Sequence, residues 1–230
     1  MGLALEVGIL ADLRENDEEG YEHFRTQLDA LNRYLQQANL PVHTEPEDCE
    51  VWSGEMFGYS GLHYLRRLAA YLDSTGRLPP PGGDDSSKDP VMERYYQSID
   101  SAKPSFMSRL LGKQTNFNRS FDHLMLHSDA EGFYLPVEFP KVLFPDQSLE
   151  IAGGMVGSSY MLLSECERIA AELEIPADLD ETSDALWEAA DSQGEGNLKW
   201  ERYGIESFSC VCLMRGCMKS IETGAVLVFT

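Results

Sequence analysis

Basic residues are scarce in this chain of 230 residues. Eighteen Lys and Arg stand against 39 Asp and Glu, so the formal net charge is -21 at pH 7 and the isoelectric point is near 4.5. A surface this acidic repels nucleic acid and anionic lipid and attracts basic proteins. We therefore expect a basic protein as the partner, and we expect binding neither to nucleic acid nor to a membrane.

Long hydrophobic runs are also absent. No stretch approaches the ~18 consecutive apolar residues that a membrane-spanning helix needs. Residues 1–13 include Glu6 and Asp12 and lack the basic start of a signal peptide. The five cysteines form an odd set without the spacing of a disulfide framework, which is typical of reduced thiols. These absences predict a soluble cytoplasmic protein.

Sequence signatures of cofactor binding are missing as well. The glycine-rich stretch 153–157 has neither the Lys of a phosphate-binding loop nor the spacing of a dinucleotide fingerprint. His123 and His127 alternate with apolar residues, and a strand would place their rings roughly 13 Å apart, too far to share an ion. The three cysteines near the C-terminus lack the pair spacing of a zinc site. We expect no cofactor and no metal.

The chain contains enough apolar residues for a core. Its hydrophobic fraction is 43% and its aromatic fraction is 10%, so the acid excess is not a signature of disorder. Apolar strands near both termini, Leu3–Leu13 and Ala225–Phe229, and an alternating hairpin over Phe121–Phe139 predict a small mixed sheet. About five helices would cover this sheet in one α/β or α+β domain spanning residues 1–230. Residues 78–90, rich in Pro and Gly, predict an exposed linker or insertion.

Capping residues and apolar periodicity predict where several helices begin and end. One helix follows Asn16 or Asp17, and Asn39 suits the left-handed position at its end. A second helix is expected between Ser60 and Gly76. Further helices are expected after Ser158 or Ser159, after Thr182 or Ser183, and from Glu201 to Gly224.

The acidic residues are unevenly distributed. Residues 1–50 carry 12 acids and 3 bases, residues 51–130 carry 9 of each, and residues 131–230 carry 18 acids and 6 bases. One loop region also combines acids with aromatics, a composition that suits a basic, Arg-rich surface. Its candidate partner-binding residues are Glu47, Asp48, Glu50, Trp52, Glu55, Phe57 and Tyr59. The alternative is a solvated loop whose aromatic rings fold back onto the core.

Charge and the missing catalytic pattern favour a non-enzymatic interaction protein. It would bind a basic protein, either as an inhibitor of the immunity-protein kind or as a subunit of an assembly. The sequence leaves the identity of the partner and the oligomeric state open.

Two other classes of function remain open. A hydrolase or transferase would need a site dispersed in sequence, with His123, His127, Asp129 and Glu138 near the hairpin as candidate catalytic residues. A small-ligand module would use helix N–H groups at the glycine turn to bind an anion. The residues of that turn are Gly153, Gly154, Gly157 and Ser158.

Overall fold

A five-stranded mixed sheet runs through the computed structural model, which describes residues 3–82, 86–101, 119–192 and 194–229. The strand order is β2-β1-β5-β3-β4, and only β3 and β4 are parallel. The strands are β1 (Ala4–Val7), β2 (Trp52–Glu55), β3 (Gly132–Leu135), β4 (Val156–Ser158) and β5 (Leu227–Phe229). Both terminal strands pair side by side, so the predicted mixed sheet within an α/β domain is confirmed.

Helices account for most of the remaining described residues. Seven have eight or more residues, and α5 and α8 are single turns. They are α1 (Ile9–Asn16), α2 (Glu18–Gln37), α3 (Gly58–Thr75), α4 (Pro90–Ser101), α5 (Asp122–Met125), α6 (Ser159–Leu173), α7 (Asp184–Asp191), α8 (Lys199–Arg202) and α9 (Gly204–Thr223). Within the described ranges, no helix is both long and apolar enough to cross a membrane.

The helices form a layer on each face of the sheet, because successive strand residues point to opposite faces. Val228 of β5 and Val226, just before the strand, pack with Leu28 and Leu31 of α2 and with the apolar residues of α1. Leu227 points the other way, into a larger core built with α3, α6, α7 and α9. The surface of α1 and α2 and the surface of α6, α7 and α9 therefore lie on opposite sides of the molecule.

Several predicted helix boundaries are confirmed. Asp17 caps α2, because its Oδ1 accepts a hydrogen bond from the Gly20 N–H at 3.1 Å. Asn39 follows the helix with a φ of 56°, and Gly76 ends α3 with a φ of 66°. Ser158 caps α6, and α9 ends at Gly224.

The predicted strand Leu3–Leu13 and the predicted hairpin are corrected by the structure. The strand stops at Val7, because Gly8 adopts a left-handed φ of 86° and α1 begins at the next residue. In place of the first hairpin strand, residues 122–125 form the helical turn α5. The Glu165 carboxylate accepts hydrogen bonds from the N–H groups of His123 and Leu124, which stabilises a helix start where the alternation predicts a strand.

The proline-rich stretch 78–90 contacts α3 where the structure describes it. The Arg67 guanidinium of α3 donates hydrogen bonds to the carbonyl oxygens of Pro80 and Gly82, and its Nε donates to Asp89. Pro79 is buried. Residues 83–85 lie outside the described ranges, so the linker remains a prediction.

Candidate protein-binding surface

An unbroken acidic segment connects α6 to α8. Between Arg168 and Lys199 the sequence has nine carboxylates and no Lys, Arg or His. We call residues 172–195 the acidic segment. Eight of its carboxylates are exposed and Glu181 is half-buried. The nine are Glu172, Glu174, Asp178, Asp180, Glu181, Asp184, Glu188, Asp191 and Glu195.

The helix α7 gives the central carboxylates a regular spacing. Asp184, Glu188 and Asp191 follow one another at i, i+4 and i+7, which places them on one helical face. Leu186 and Ala190 on the opposite face are buried against the core. At ~1.5 Å per residue, Asp184 and Glu188 are about 6 Å apart along the helix axis, and Glu188 and Asp191 are about 4.5 Å apart.

The connection before α7 holds its carboxylates in fixed positions. Glu174 adopts a φ of 59° and ends α6. The Asp180 carboxylate accepts hydrogen bonds from the Thr182 side chain at 2.7 Å and from the Thr182 N–H at 2.9 Å. These bonds hold the pKa of Asp180 below its usual value, so this carboxylate is ionised at neutral pH.

The predicted loop patch adjoins the acidic segment at two points. The Trp52 indole Nε1 donates a hydrogen bond to Glu181 Oε1 at 3.2 Å. The ring of Phe57 lies 6.5 Å from the ring of Trp187, centroid to centroid, and 6.0 Å from that of Phe208. Both predicted aromatics are half-buried and pack against the core, as the alternative interpretation of this loop expects.

The carboxylates of the same patch are divided between different environments. Glu47 and Asp48 are exposed. Glu50 accepts two hydrogen bonds from Lys219 Nζ, at 3.0 and 2.9 Å, and these bonds lower the pKa of Glu50. Glu55 is exposed on β2, one residue out of phase with the inward-facing Gly54, so it points away from α9. Tyr59 lies in the first turn of α3.

Three of the four candidate catalytic residues share contacts: Arg66 donates to the His127 carbonyl and to Asp129, and the Tyr134 hydroxyl donates to the His123 carbonyl. His123 is buried, and its Nδ1 accepts a hydrogen bond from the Ser158 N–H at 3.0 Å. His127 stacks on the Tyr134 ring at 4.0 Å. Burial lowers the pKa of each histidine to about 4, so both are neutral at pH 7. Asp129 binds Arg66, and Glu138 is exposed.

The glycine turn is occupied by contacts within the protein. Gly153 and Gly154 have φ values of 70° and 65° in a short 3-10 turn before β4. The Tyr134 ring lies against Gly157 so closely that an added Cβ would be 2.2 Å from it. The Ser158 Oγ donates to the Val137 carbonyl at 2.6 Å.

Sequence reasoning did not single out the acidic segment as a site. The net charge of the last hundred residues points to this region, but it gives no residues. The absence of any base between Arg168 and Lys199 is the signal that would have found it. The acids at the start of the chain form a shorter run on the opposite side of the sheet, with five carboxylates between Arg14 and Arg25 and one more, Asp29, before Arg33.

Comparison with known proteins assigns the chain to one family. The model of the family described as "Putative DNA-mimic protein" matches residues 1–229. No curated protein and no solved structure matches the chain.

The family match corrects two expectations. An unspecified basic partner, bound by an immunity-type inhibitor or an assembly subunit, is wrong, because a DNA mimic is directed at proteins that bind DNA. The expectation of a partner unrelated to nucleic acid is corrected in the same way, because the family description implies mimicry of DNA toward a DNA-binding protein. Since the match covers nearly every residue, this chain belongs to the DNA-mimic protein family.

Proposed function

We propose that this chain binds the DNA-binding surface of a protein and thereby keeps DNA away from it. The observation that carries the proposal is the acidic segment, whose nine carboxylates extend over 24 residues without one basic side chain. No other stretch between two successive Lys or Arg residues has as many carboxylates, so this segment is our choice for the DNA-like surface.

The charge density of α7 supports this choice of surface. Successive carboxylates on its outer face are about 5 Å apart along the helix axis. One strand of duplex DNA carries one phosphate per ~3.4 Å of its axis. The linear charge density of this face is therefore of the same order as that of one DNA strand, and long, flexible Lys and Arg side chains can span the difference.

Rigidity is the second requirement for mimicry, since ordering a flexible acidic chain on binding would cost conformational entropy. The helix α7 packs on α9 through Leu186, Ala189 and Ala190, all of which are buried. The carbonyl oxygen of Ala189 lies so close to Gly204 that a Cβ built there would be 1.9 Å from it. This packing presents the carboxylates on a preorganised support.

Two basic side chains of this chain contact the acidic segment, and they compete only weakly with a basic partner for its carboxylates. Lys199 Nζ lies 3.3 Å from one Glu174 oxygen, and Arg215 Nε lies 3.5 Å from one Glu181 oxygen. Exposed pairs of this kind contribute little stability, so a basic partner can replace them.

We further propose a cytoplasmic location, where the five free thiols of this chain stay reduced.

The proposal is tested by capture followed by competition with DNA. The full chain is immobilised, a lysate of its source cells is passed over it at low salt, and bound protein is eluted with double-stranded DNA. We expect a DNA-binding protein in the eluate. After purification, its complex with labelled DNA should dissociate on addition of this chain, as measured by fluorescence polarisation. Retained proteins that DNA does not release, or a purified partner that binds DNA and this chain together, would contradict the proposal.

A further inference from the structure

A groove lies beside the acidic segment, between the end of α6, the connection to α7 and the middle of α9. It encloses about 520 Å³. Its floor is apolar, with Ile175, Val211 and Met214, while carboxylates of Asp178, Asp180 and Glu181 line its edge. Met218 also borders the groove and is 41% exposed. An apolar floor edged by carboxylates suits a side chain that has methylene groups and a cationic end.

The protein already places a guanidinium at this groove. Arg215 lines it, with Nε 3.5 Å from Glu181 Oε1, and 44% of the Arg215 side chain is exposed. The Arg215 charge adds to the hydrogen bonds that lower the pKa of Asp180. The Arg215 side of this single contact is exposed, so a guanidinium of a partner can replace it.

The Glu181 carboxylate stays in position without Arg215. Its Oε1 accepts the hydrogen bond from the Trp52 indole at 3.2 Å, and only 16% of the Glu181 side chain is exposed. An incoming guanidinium therefore meets a carboxylate that is already oriented, and charge-assisted bonds between such groups are short and directional.

We infer that the groove receives an arginine side chain of the DNA-binding partner, which replaces Arg215 beside Glu181 and lays its methylenes on Met214 and Met218. This inference rests on the proposed function. It adds an apolar contact, between the arginine methylenes and the two methionines, that the phosphates of DNA cannot provide. The apolar part of the contact does not depend on salt, whereas carboxylate contacts weaken as salt rises. The groove therefore favours a partner surface with an exposed arginine over one that has only a net positive charge.

The probe is a fluorescein-labelled oligo-arginine peptide, compared with an oligo-lysine peptide of the same length. We expect tighter binding of the arginine peptide. The variant Arg215→Gln should bind it about two- to fivefold more tightly than the wild type, since the internal competitor is gone. The control is Arg14→Gln, which removes the same charge from α1 across the sheet. Equal effects of the two variants would indicate net charge alone and overturn the inference.

A second measurement examines the floor of the groove. The chain is labelled with 13C at its methionine methyl groups and titrated with the arginine peptide. We expect shifts for Met214 and Met218, the latter assigned with Met218→Gln, and none for Met125, which is buried. The Met218→Gln variant should weaken binding without changing its salt dependence. Binding with unshifted Met214 and Met218 signals overturns the inference.

Failure of the groove is distinguishable from failure of DNA mimicry. If the captured partner is released by DNA while Arg215→Gln behaves like Arg14→Gln, the groove assignment is wrong and the mimicry stands. If no captured protein is released by DNA, the mimicry itself is wrong, whatever the peptides show.

Discussion

The Trp52 indole donates a hydrogen bond of 3.2 Å to Glu181, and this bond joins two acidic regions that are 129 residues apart in sequence. Trp52 is half-buried on the edge strand β2, while Glu181 lies three residues before the start of α7. The loop patch predicted from sequence and the acidic segment found in the structure are therefore parts of one surface. The hydrogen bond also fixes which way the Glu181 carboxylate points.

Two substitutions at Glu181 separate its charge from its hydrogen bond. Glu181→Gln keeps an oxygen that can accept from Trp52, so it should leave the free energy of unfolding nearly unchanged while weakening partner binding. Glu181→Ala should weaken binding and also cost about 1 kcal/mol of stability, because the indole N–H loses its partner. Urea denaturation and a binding titration measure the two effects. Equal stability of both variants would show that the bond to Trp52 contributes nothing.

Removal of the α7 carboxylates should weaken binding of the DNA-binding partner. We expect Asp184→Asn, Glu188→Gln and Asp191→Asn together to reduce affinity about ten- to a hundredfold at low salt, from three exposed charge contacts. The dependence of log affinity on log salt should also become less steep. Titrations at several salt concentrations give both quantities.

A matched control for this variant lies on the opposite side of the sheet. Glu18→Gln, Glu19→Gln and Glu22→Gln remove the same charge from exposed positions of α2. We expect a much smaller loss of affinity, because these residues lie away from the acidic segment. If this control lost as much affinity as the α7 variant, binding would depend on net charge and the α7 surface would not be the contact.

The contribution of Glu206 to the stability of the fold should decrease as the pH rises toward neutrality. Burial raises the pKa of Glu206 from 4.5 to about 7. The unfolded chain loses this proton first, so the stability that Glu206 contributes is fully present below pH 4.5 and is lost as the pH rises to about 7. We expect Glu206→Gln to exceed the wild type by about 1–3 kcal/mol at pH 8 and to match it near pH 4. Urea denaturation midpoints at pH 4 and pH 8 measure this difference, and Glu188→Gln, at an exposed position, is the control. A stability difference between Glu206→Gln and the wild type that is the same at both pH values would contradict the prediction.

Close packing at Gly204 should be intolerant of a side chain. A Cβ there would lie 1.9 Å from the Ala189 carbonyl oxygen, so α7 and α9 would have to separate. We expect Gly204→Ala to cost about 2–4 kcal/mol and to weaken partner binding through displacement of α7. Gly76→Ala is the control, since a Cβ there meets open space and only the positive φ is strained. Thermal unfolding compares them, and a Gly204 variant as stable as the control would contradict this packing.

Local patterns predicted the helices whose signals lie within one element. The apolar repeat of α2 and its cap at Asp17 are contained in a short stretch, and the structure has that helix with that cap. Alternation failed over His123 to His127, because the capping carboxylate for this turn comes from Glu165, 42 residues away from His123. The strand β2 was not predicted, since its pairing partner β1 lies about fifty residues earlier.

The candidate surface was also predicted only in part from local sequence. The predicted aromatics Trp52 and Phe57 do contact the acidic segment, but the sequence does not say that Glu55 points the other way or that Glu50 binds Lys219. Side-chain direction on a strand and ion pairs between distant elements depend on how the sheet and α9 pack. These relations follow from tertiary contacts that leave no local pattern.

The sequence by itself determined the strong negative charge, the core-forming composition, the two terminal strands and the capped helices, because charge, composition and periodicity are properties of neighbouring residues. Only the tertiary structure decided which carboxylates share a surface, where a cation can rest among them and which side of the sheet they face. Those facts depend on contacts such as Trp52 to Glu181, in which the free energy of packing brings together residues that are far apart along the chain.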